Sequence, residues 1–430
     1  MFASIASTNR AASAAFKFMH SSRPGRSRFC HQTGGLGLQS STAIVCSLTF
    51  AAGAVAQQVL VSPPPPSPAT AAPQSAGTVE AGVVPPESTA FPAFSGRNLW
   101  QWGPVHLRPH FDYRFLYGDG IQSRPGQSTT TIIHTLSPGL LFDIGRHWSL
   151  DYTPSLRYYS SDRFRDTTDH SVTLDGRTAY QDWILGLSHN SSFLSEPLIE
   201  TGRQTDQETH STGLSATHLL NSKTSLDLGI NQNFRSAEQF TSSRAWSTMD
   251  WLNYQFLPRV GAGIGAGFGY IDVNAGSDMT YEQFQGRLNW RPTGKISLSV
   301  NGGVEVRQFL DSAAPDLINP IFGSSITYRP FEQTTLSLSA TRAVSVSYFQ
   351  SQASERTALI ASLQQRLFGK LHLSVNGGYS TVDYVATSER LSVDRSDDYT
   401  YAGVQLSCAF LRRGTIGLFF QHSENTSNDN

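Results

Sequence analysis

The run Lys295-Ile-Ser-Leu-Ser-Val-Asn-Gly-Gly-Val-Glu-Val-Arg307 decides the fold. Side chains alternate faces along a strand, so Ile296, Leu298, Val300, Val304 and Val306 share one face and Ser297, Ser299, Asn301, Glu305 and Arg307 the other. The design returns 75 positions later as Lys370-Leu-His-Leu-Ser-Val-Asn-Gly-Gly-Tyr379, and looser copies begin at Trp148, Thr224 and Thr334. Strands of a soluble sandwich run about five or six residues. These segments alternate for ten or more, which suits a strand tilted across a bilayer with its apolar face on lipid and its polar face on a lumen. The expected fold is all-β, a transmembrane antiparallel up-and-down barrel.

Composition agrees. No window supplies the roughly 18 consecutive apolar residues of a membrane-spanning helix. Charged residues make up 15% of the chain, against about 25% in average soluble domains. The first 56 residues hold five basic residues and no acid, followed by the apolar Ala43-Ile-Val-Cys-Ser-Leu-Thr-Phe-Ala51 and the small-x-small Ala54-Val-Ala56. Residues 1 to 56 are therefore expected to be a signal peptide, with Met1 or Met19 as its start; a transit sequence is the alternative. Removing it leaves 27 basic against 33 acidic residues, a net charge of −6 that argues against nucleic acid as a partner. Cys30 and Cys46 leave with the leader and Cys408 stands alone, so no disulfide framework and no cysteine metal site is expected.

Residues 57 to 94 are rich in Pro, Ala, Ser and Val, including Pro63-Pro-Pro-Pro66. Such a segment buries no core and reads as a periplasmic linker, a spacer or the contact to a secretion partner. From residue 95 onward, short turns alternate with longer polar loops and separate 17 strands, the last starting at Thr415. Bacterial single-chain barrels close with an even number. The polar tail Gln421 to Asn430 reads as the start of a further loop, so an eighteenth strand is expected to be missing; the alternative is 16 strands with one split in error. The first loop is long, which places the N-terminus in the periplasm. Trp148, Trp183, Phe256, Trp290, Tyr328, Phe331, Phe368 and Phe410 lie beside short turns and read as an aromatic girdle.

Leu107, Phe111, Tyr113 and Phe115 are expected outside, and His106, Arg108, His110, Asp112 and Arg114 inside, lining the pore with Glu305 and Arg307. The basic side chains on that first strand would favour anions. Cys408 shares its face with Val404, Leu406 and Phe410 and should meet lipid. Pro109, Pro138 and Pro154 fall within strands and imply bulges. Arg342 falls on the lipid face by strict alternation, which implies a bulge or a wrong register. Gly261, Gly263, Gly265, Gly267 and Gly269 form an inward glycine stripe that makes room for an infolded loop, a plug or strong curvature. The stripe contains a loose Gly261-x-Gly263-x-x-Ala266, but its period of two and the lack of a following helix argue against a dinucleotide site.

His189 and Ser191 share one face of a strand with Leu185 and Leu187, an arrangement similar to the His-x-Ser of outer-membrane phospholipase over these few residues. No third group to orient the base is apparent on a neighbouring strand, so a lipid-facing hydrolase is a remote reading. Asp397 and Asp398, with Asp394, could hold Ca²⁺ but read more simply as solvated loop charge. No catalytic residue, cofactor or metal is expected.

The stretches Glu200-Thr-Gly-Arg-Gln-Thr-Asp206, Lys223-Thr-Ser-Leu-Asp-Leu-Gly-Ile-Asn-Gln-Asn-Phe234, Trp251-Leu-Asn-Tyr-Gln-Phe256 and Gly414-Thr-Ile-Gly-Leu-Phe-Phe420 resemble the β-barrel porin 2 type of outer-membrane protein. The resemblance covers most of the chain after the linker. It implies a large outer-membrane barrel accompanying exopolysaccharide secretion, with a final aromatic-ended strand. The function expected is a channel for small polar solutes or a secreted polysaccharide. The alternative is a plugged, partner-binding barrel of a secretion apparatus, which the glycine stripe favours.

Overall fold

The computed structural model describes residues 37–51, 100–119, 130–198, 203–310, 312–388, 393–410 and 414–428. The segment expected to be a linker, 57–94, residues 1–36 and 52–56 of the expected leader, and most of the first long loop lie outside them. The strands are β1 (Gly37–Ala51), β2 (Trp100–Trp102), β3 (Val105–Asp119), β4 (Thr131–Ile144), β5 (Trp148–Tyr159), β6 (Thr167–Tyr180) and β7 (Trp183–Leu198). They continue as β8 (Arg203–Leu219), β9 (Thr224–Ala237), β10 (Ser243–Leu257), β11 (Val260–Val273), β12 (Met279–Trp290) and β13 (Ile296–Phe309). The last are β14 (Leu317–Phe331), β15 (Thr334–Val346), β16 (Gln352–Leu367), β17 (Leu371–Ala386), β18 (Ser396–Phe410) and β19 (Gly414–Ser427). No helix among the described residues is long and apolar enough to cross a membrane.

From β3 to β19 each strand pairs antiparallel with the next. These are the 17 strands expected, and short connections alternate with long ones. An odd count makes β3 and β19 run in the same direction, so they cannot pair antiparallel and would by themselves leave the sheet open. Between them runs β1. It pairs antiparallel with β19 from Gly37↔Ser427 to Phe50↔Gly414 and with β3 from Thr42↔Asp119 to Ala51↔His110. The place expected for a missing eighteenth strand is thus taken by the apolar run read as the core of a signal peptide. The alternative of 16 strands falls. Short β2 extends the wall at the short-turn end by pairing Trp100 with Leu107.

The two faces of the sheet differ as the alternation requires. Ile230, Ile264, Phe284, Ile318 and Leu418 stand 54 to 70% exposed on the outer face, where lipid would cover them. Beside the short turns, Phe256, Phe331 and Phe368 are exposed, and Trp183 stacks on His218 with centroids 4.4 Å apart. The prolines act differently from expectation. Pro109 and Pro138 sit in unbroken register opposite Leu140 and Phe111. Between Leu136↔Leu156 and Leu140↔Tyr152 the β4–β5 ladder opens without shifting, and the Ser137 and Ser155 hydroxyls, 2.7 Å apart, bridge the gap. The register shifts lie at Gln255/Leu257 and Tyr328/Phe331 instead, each next to a short turn.

Candidate functional site: a layered wall and an infolded hairpin in the lumen

The glycine stripe of β11 is covered by side chains of its two neighbours. Strand pairing sets Gly265 opposite Trp251 on β10 and Gly269 opposite Tyr281 on β12. A Cβ on Gly265 would fall 2.7 Å from the Trp251 ring, and one on Gly269 would fall 2.1 Å from the Tyr281 ring. Both rings therefore lie flat where a side chain would otherwise stand, and Trp251 is only 3% exposed. Each carries an arginine: Arg287 lies over Trp251 at 4.5 Å and Arg307 over Tyr281 at 5.2 Å, both within cation–π range.

Each arginine in turn holds a carboxylate. Arg287 is 2.5 Å from Asp227 and donates through Nε to Asn253 at 2.7 Å, while Asn253 donates to Asp227 at 2.9 Å. Arg307 is 2.7 Å from Glu305, which also accepts from Gln283 at 2.7 Å. Arg307 and Glu305 are 2 and 3% exposed. Buried charges of this kind persist only when paired and further hydrogen-bonded, and both pairs meet that condition. The stripe, Glu305 and Arg307 therefore belong to one assembly of glycine, aromatic, arginine and carboxylate.

That assembly touches a second feature. The β14–β15 ladder ends at Phe322↔Arg342, so Ala343 to Val346 keep only β16 as a partner. Above this point the β15–β16 hairpin leaves the wall and crosses the lumen. Carbonyls freed from a ladder must find donors when buried, and arginines from the opposite and adjacent walls supply them. Arg307 donates to the Val344 carbonyl at 3.3 Å. Arg235 on β9 donates to the carbonyls of Val346 and Ser347 at 3.0 and 3.3 Å. At the tip, the Tyr348 ring lies 4.1 Å from the Arg235 guanidinium, and its hydroxyl reaches Gln207 on β8 at 3.5 Å. The Thr241 N–H donates to the Tyr348 carbonyl at 2.9 Å.

The packing is dense. Tyr348 is 2% exposed, and Ser347, Ala353 and Thr387 are fully buried. Val346 packs with Ile271, Met279 and Phe309. The hairpin turns through Ser351 in the left-handed region, at φ 57°, where a non-glycine residue is strained. A Cβ on Gly276 would sit 3.3 Å from the Ser351 nitrogen, so its lack of a side chain lets the two loops meet.

Arg342 takes its explanation from the same split. It is the last β15 residue paired with β14, and its Nη2 lies 2.7 Å from Glu355 while Nη1 donates to Thr357 at 3.0 Å. Glu355 accepts from Asn319 of β14 at 2.7 Å. A charge that alternation assigns to lipid, where it would cost about 2 to 4 kcal/mol at mid-depth, instead seals the opening between β14 and β16.

On β3, His106, Arg108, His110, Asp112 and Arg114 share the face of buried Leu116 and lie opposite Asp143, Leu141, Gly139, Ser137 and Thr135. Arg108 is 2.6 Å from Asp143 and His110 is 3.2 Å from Asp151. These pairings neutralise part of the positive wall that the sequence suggests. At the short-turn end the lumen opens into a cavity of about 730 Å³ lined by His106, Arg146, His147, Asp175, Arg177 and Ser188 among others. Asp397 and Asp398 are engaged within the protein: Asp397 pairs with Arg395 at 2.6 Å, and Asp398 accepts from Tyr379 and Thr381 at 2.8 Å. No cluster of metal-ligating side chains occurs among the described residues. In the loop between β5 and β6, Arg165 donates to the Asp206 carboxylate of β8, which raises the guanidinium above the ordinary arginine value.

Alternation by itself misses Trp251, Tyr281, Arg235 and Tyr348. The first two were findable: cross-strand pairing sets a large ring opposite a glycine. The last two follow from the split at Phe322↔Arg342, which no residue pattern announces.

No family model matches the chain and no curated protein matches it. Solved structures do resemble it. Pseudomonas aeruginosa OccK11 (OpdR) aligns over 91% of this chain and 96% of its own, at 10% identity and a TM-score of 0.33. P. aeruginosa OccK2 (OpdF), solved in complex with glucuronate, aligns over 91% and 95% at 10% identity and a TM-score of 0.36. The FrpB iron transporter of Neisseria meningitidis, F3-3 variant, aligns over 91% and 82% at 9% identity and a TM-score of 0.39.

Proposed function

We propose that the protein is an outer-membrane, porin-like channel for small polar solutes whose long-loop mouth is narrowed by the β15–β16 hairpin. The observation that carries the reading is the contrast between an apolar outer face and an inner face of paired charges and amides that leaves a 730 Å³ cavity at one end. Barrels of about 18 strands are wide enough for an aqueous lumen. Arg146 and Arg177 at that cavity are balanced by Asp143 and Asp175, so a preference for anionic over cationic solutes comes from the basic side chains of β3. A secreted polysaccharide as cargo, membership of the porin 2 type and a secretion partner for residues 57 to 94 belong to the same proposal; they rest on the residues quoted for the resemblance and on the composition of the linker. The dense hairpin gives a second reading its support: a plugged barrel that serves partner binding.

The test is the full chain reconstituted in a planar bilayer under a salt gradient. Stable current steps with a reversal potential on the anion side support the channel. A folded, heat-modifiable barrel that carries no current overturns it and leaves the plugged reading.

A further inference from the structure

The outer wall where β7 and β8 pair carries a side-chain cluster that a channel does not use. Ser191 on β7 lies directly opposite His210 on β8, and its hydroxyl is 2.7 Å from His210 Nδ1. The other ring nitrogen, Nε2, is 2.7 Å from Glu208 Oε1. A carboxylate at that distance fixes the ring proton on Nε2 and leaves the Nδ1 lone pair to accept from the serine hydroxyl. Hydroxyl, base and orienting carboxylate thus stand in the order that nucleophilic catalysis requires. The imidazole is held in place by the Phe193 edge at 5.6 Å and the Phe234 face at 5.7 Å.

Ser191 and His189 share a strand face, but the direct cross-strand neighbour is His210, so the base comes from β8 and the orienting group comes with it. His189 turns to Thr212, whose hydroxyl is 2.8 Å from its Nδ1. In the tautomer where Nδ1 accepts from Thr212, Nε2 is the N–H donor of His189, and that ring stacks beside His210 at 6.2 Å.

The cluster sits among exposed apolar residues, Leu185, Phe193 and Leu214. Ser191 is eight residues along β7 from Trp183 at the short-turn end, roughly 19 Å up a tilted strand in a band about 25 Å tall. That depth lies toward the long-loop leaflet, near the ester linkages of its lipids.

We propose that Ser191, His210 and Glu208 form a lipid-facing acyl-ester hydrolase site whose substrates are glycerolipid acyl esters of the long-loop leaflet. Ser191 Oγ attacks the ester carbonyl carbon while His210 Nδ1 takes the hydroxyl proton. The carbon–alkoxy bond breaks, and His210 returns the proton to the departing glycerol oxygen. Water then adds to the acyl-serine with His210 again as base, freeing the fatty acid and restoring Ser191. Glu208 positions the imidazole, and the His189 Nε2–H is the donor for the oxygen that becomes negative.

The experiment uses the full chain folded in phospholipid–detergent micelles, an alkyl fluorophosphonate probe and a fatty-acid release assay. Heat-modifiable migration and channel current serve as folding controls. The expected result is a label on the Ser191 peptide and release of fatty acid. Ser191→Ala should lose both with its current unchanged, and His210→Ala should slow labelling roughly 100-fold or more. Glu208→Gln should slow labelling and Glu208→Asp restore part of it, which a carboxylate with only a packing role would not do. A folded wild-type barrel that takes no label and releases no fatty acid overturns the proposal, as does a label that Ser191→Ala retains.

Discussion

Arg307 and Val344 stand on strands that are not neighbours, yet Arg307 Nη2 donates to the Val344 carbonyl at 3.3 Å with β14 between them in the wall. The bond ties the wall assembly built on the glycine stripe to the hairpin in the lumen. Because the same guanidinium holds Glu305, the ion pair and the hairpin depend on one side chain.

Arg307→Met is therefore expected to act twice. It strands Glu305 as a buried charge, which costs about 3 to 5 kcal/mol, and it frees the Val344 carbonyl. The urea midpoint of the folded barrel should fall, and single-channel current should rise in size and noise. A variant with unchanged current would show that Arg307 does not hold the hairpin.

The crossing itself can be trapped. In a chain whose three native cysteines are replaced by serine, Gln207→Cys with Tyr348→Cys should be crosslinked by a bifunctional maleimide, because Tyr348 Oη lies 3.5 Å from Gln207 Oε1 and the shortened side chains leave a gap too wide for a direct disulfide. Gln207 lies on β8 and Tyr348 in the turn between β15 and β16, far apart around the sheet, so a crosslink requires the hairpin to cross. Its absence in a folded barrel would refute the infold.

Replacing residues 347–351 with two glycines should widen the long-loop mouth. Conductance should increase, and the barrel should keep its heat-modifiable migration, since the β16–β17 ladder remains in register up to Gln352↔Ala386. Unaltered conductance would place the constriction elsewhere.

Gly269→Val tests the stripe. Its Cβ would collide with the Tyr281 ring at 2.1 Å, and overpacking of this kind costs about 1 to 3 kcal/mol. The denaturation midpoint should drop, and Tyr281→Ala in the same chain should recover part of the loss. Gly286→Ala is the matched control, because a Cβ there meets nothing within 4 Å.

Arg177→Glu reverses one charge at the 730 Å³ cavity. The reversal potential in a salt gradient should move toward cation preference while the size of the current steps stays close to that of the wild type. A fixed reversal potential would remove this cavity from the ion path.

Period-two alternation carries most of the fold. Lys295 to Arg307 forms β13 with the faces it implies, and the turns between strands lie where polar residues interrupt the pattern. Alternation reports only which side of a sheet a residue faces. It holds as well for Val344 and Val346, which leave the wall, as for Leu336 and Leu338, which stay in it. The anomaly at Arg342 marked the point of departure but not its cause, since its partner Glu355 and the Asn319 that Glu355 in turn accepts from come from two other strands. Ser191 shows the same limit: its nearest base lies across the β7–β8 ladder, not among its neighbours in the chain.

β1 meets its neighbours with its first residues at the long-loop end and its last toward the short-turn end. Residues 37 to 51 therefore answer two incompatible demands, since a leader cut away after Ala56 cannot also be a stave of the finished cask. N-terminal sequencing of the membrane-embedded protein separates the two fates. A chain that begins before Gly37 carries its own final stave, and a chain that begins at Gln57 must draw the stave that seals it from elsewhere.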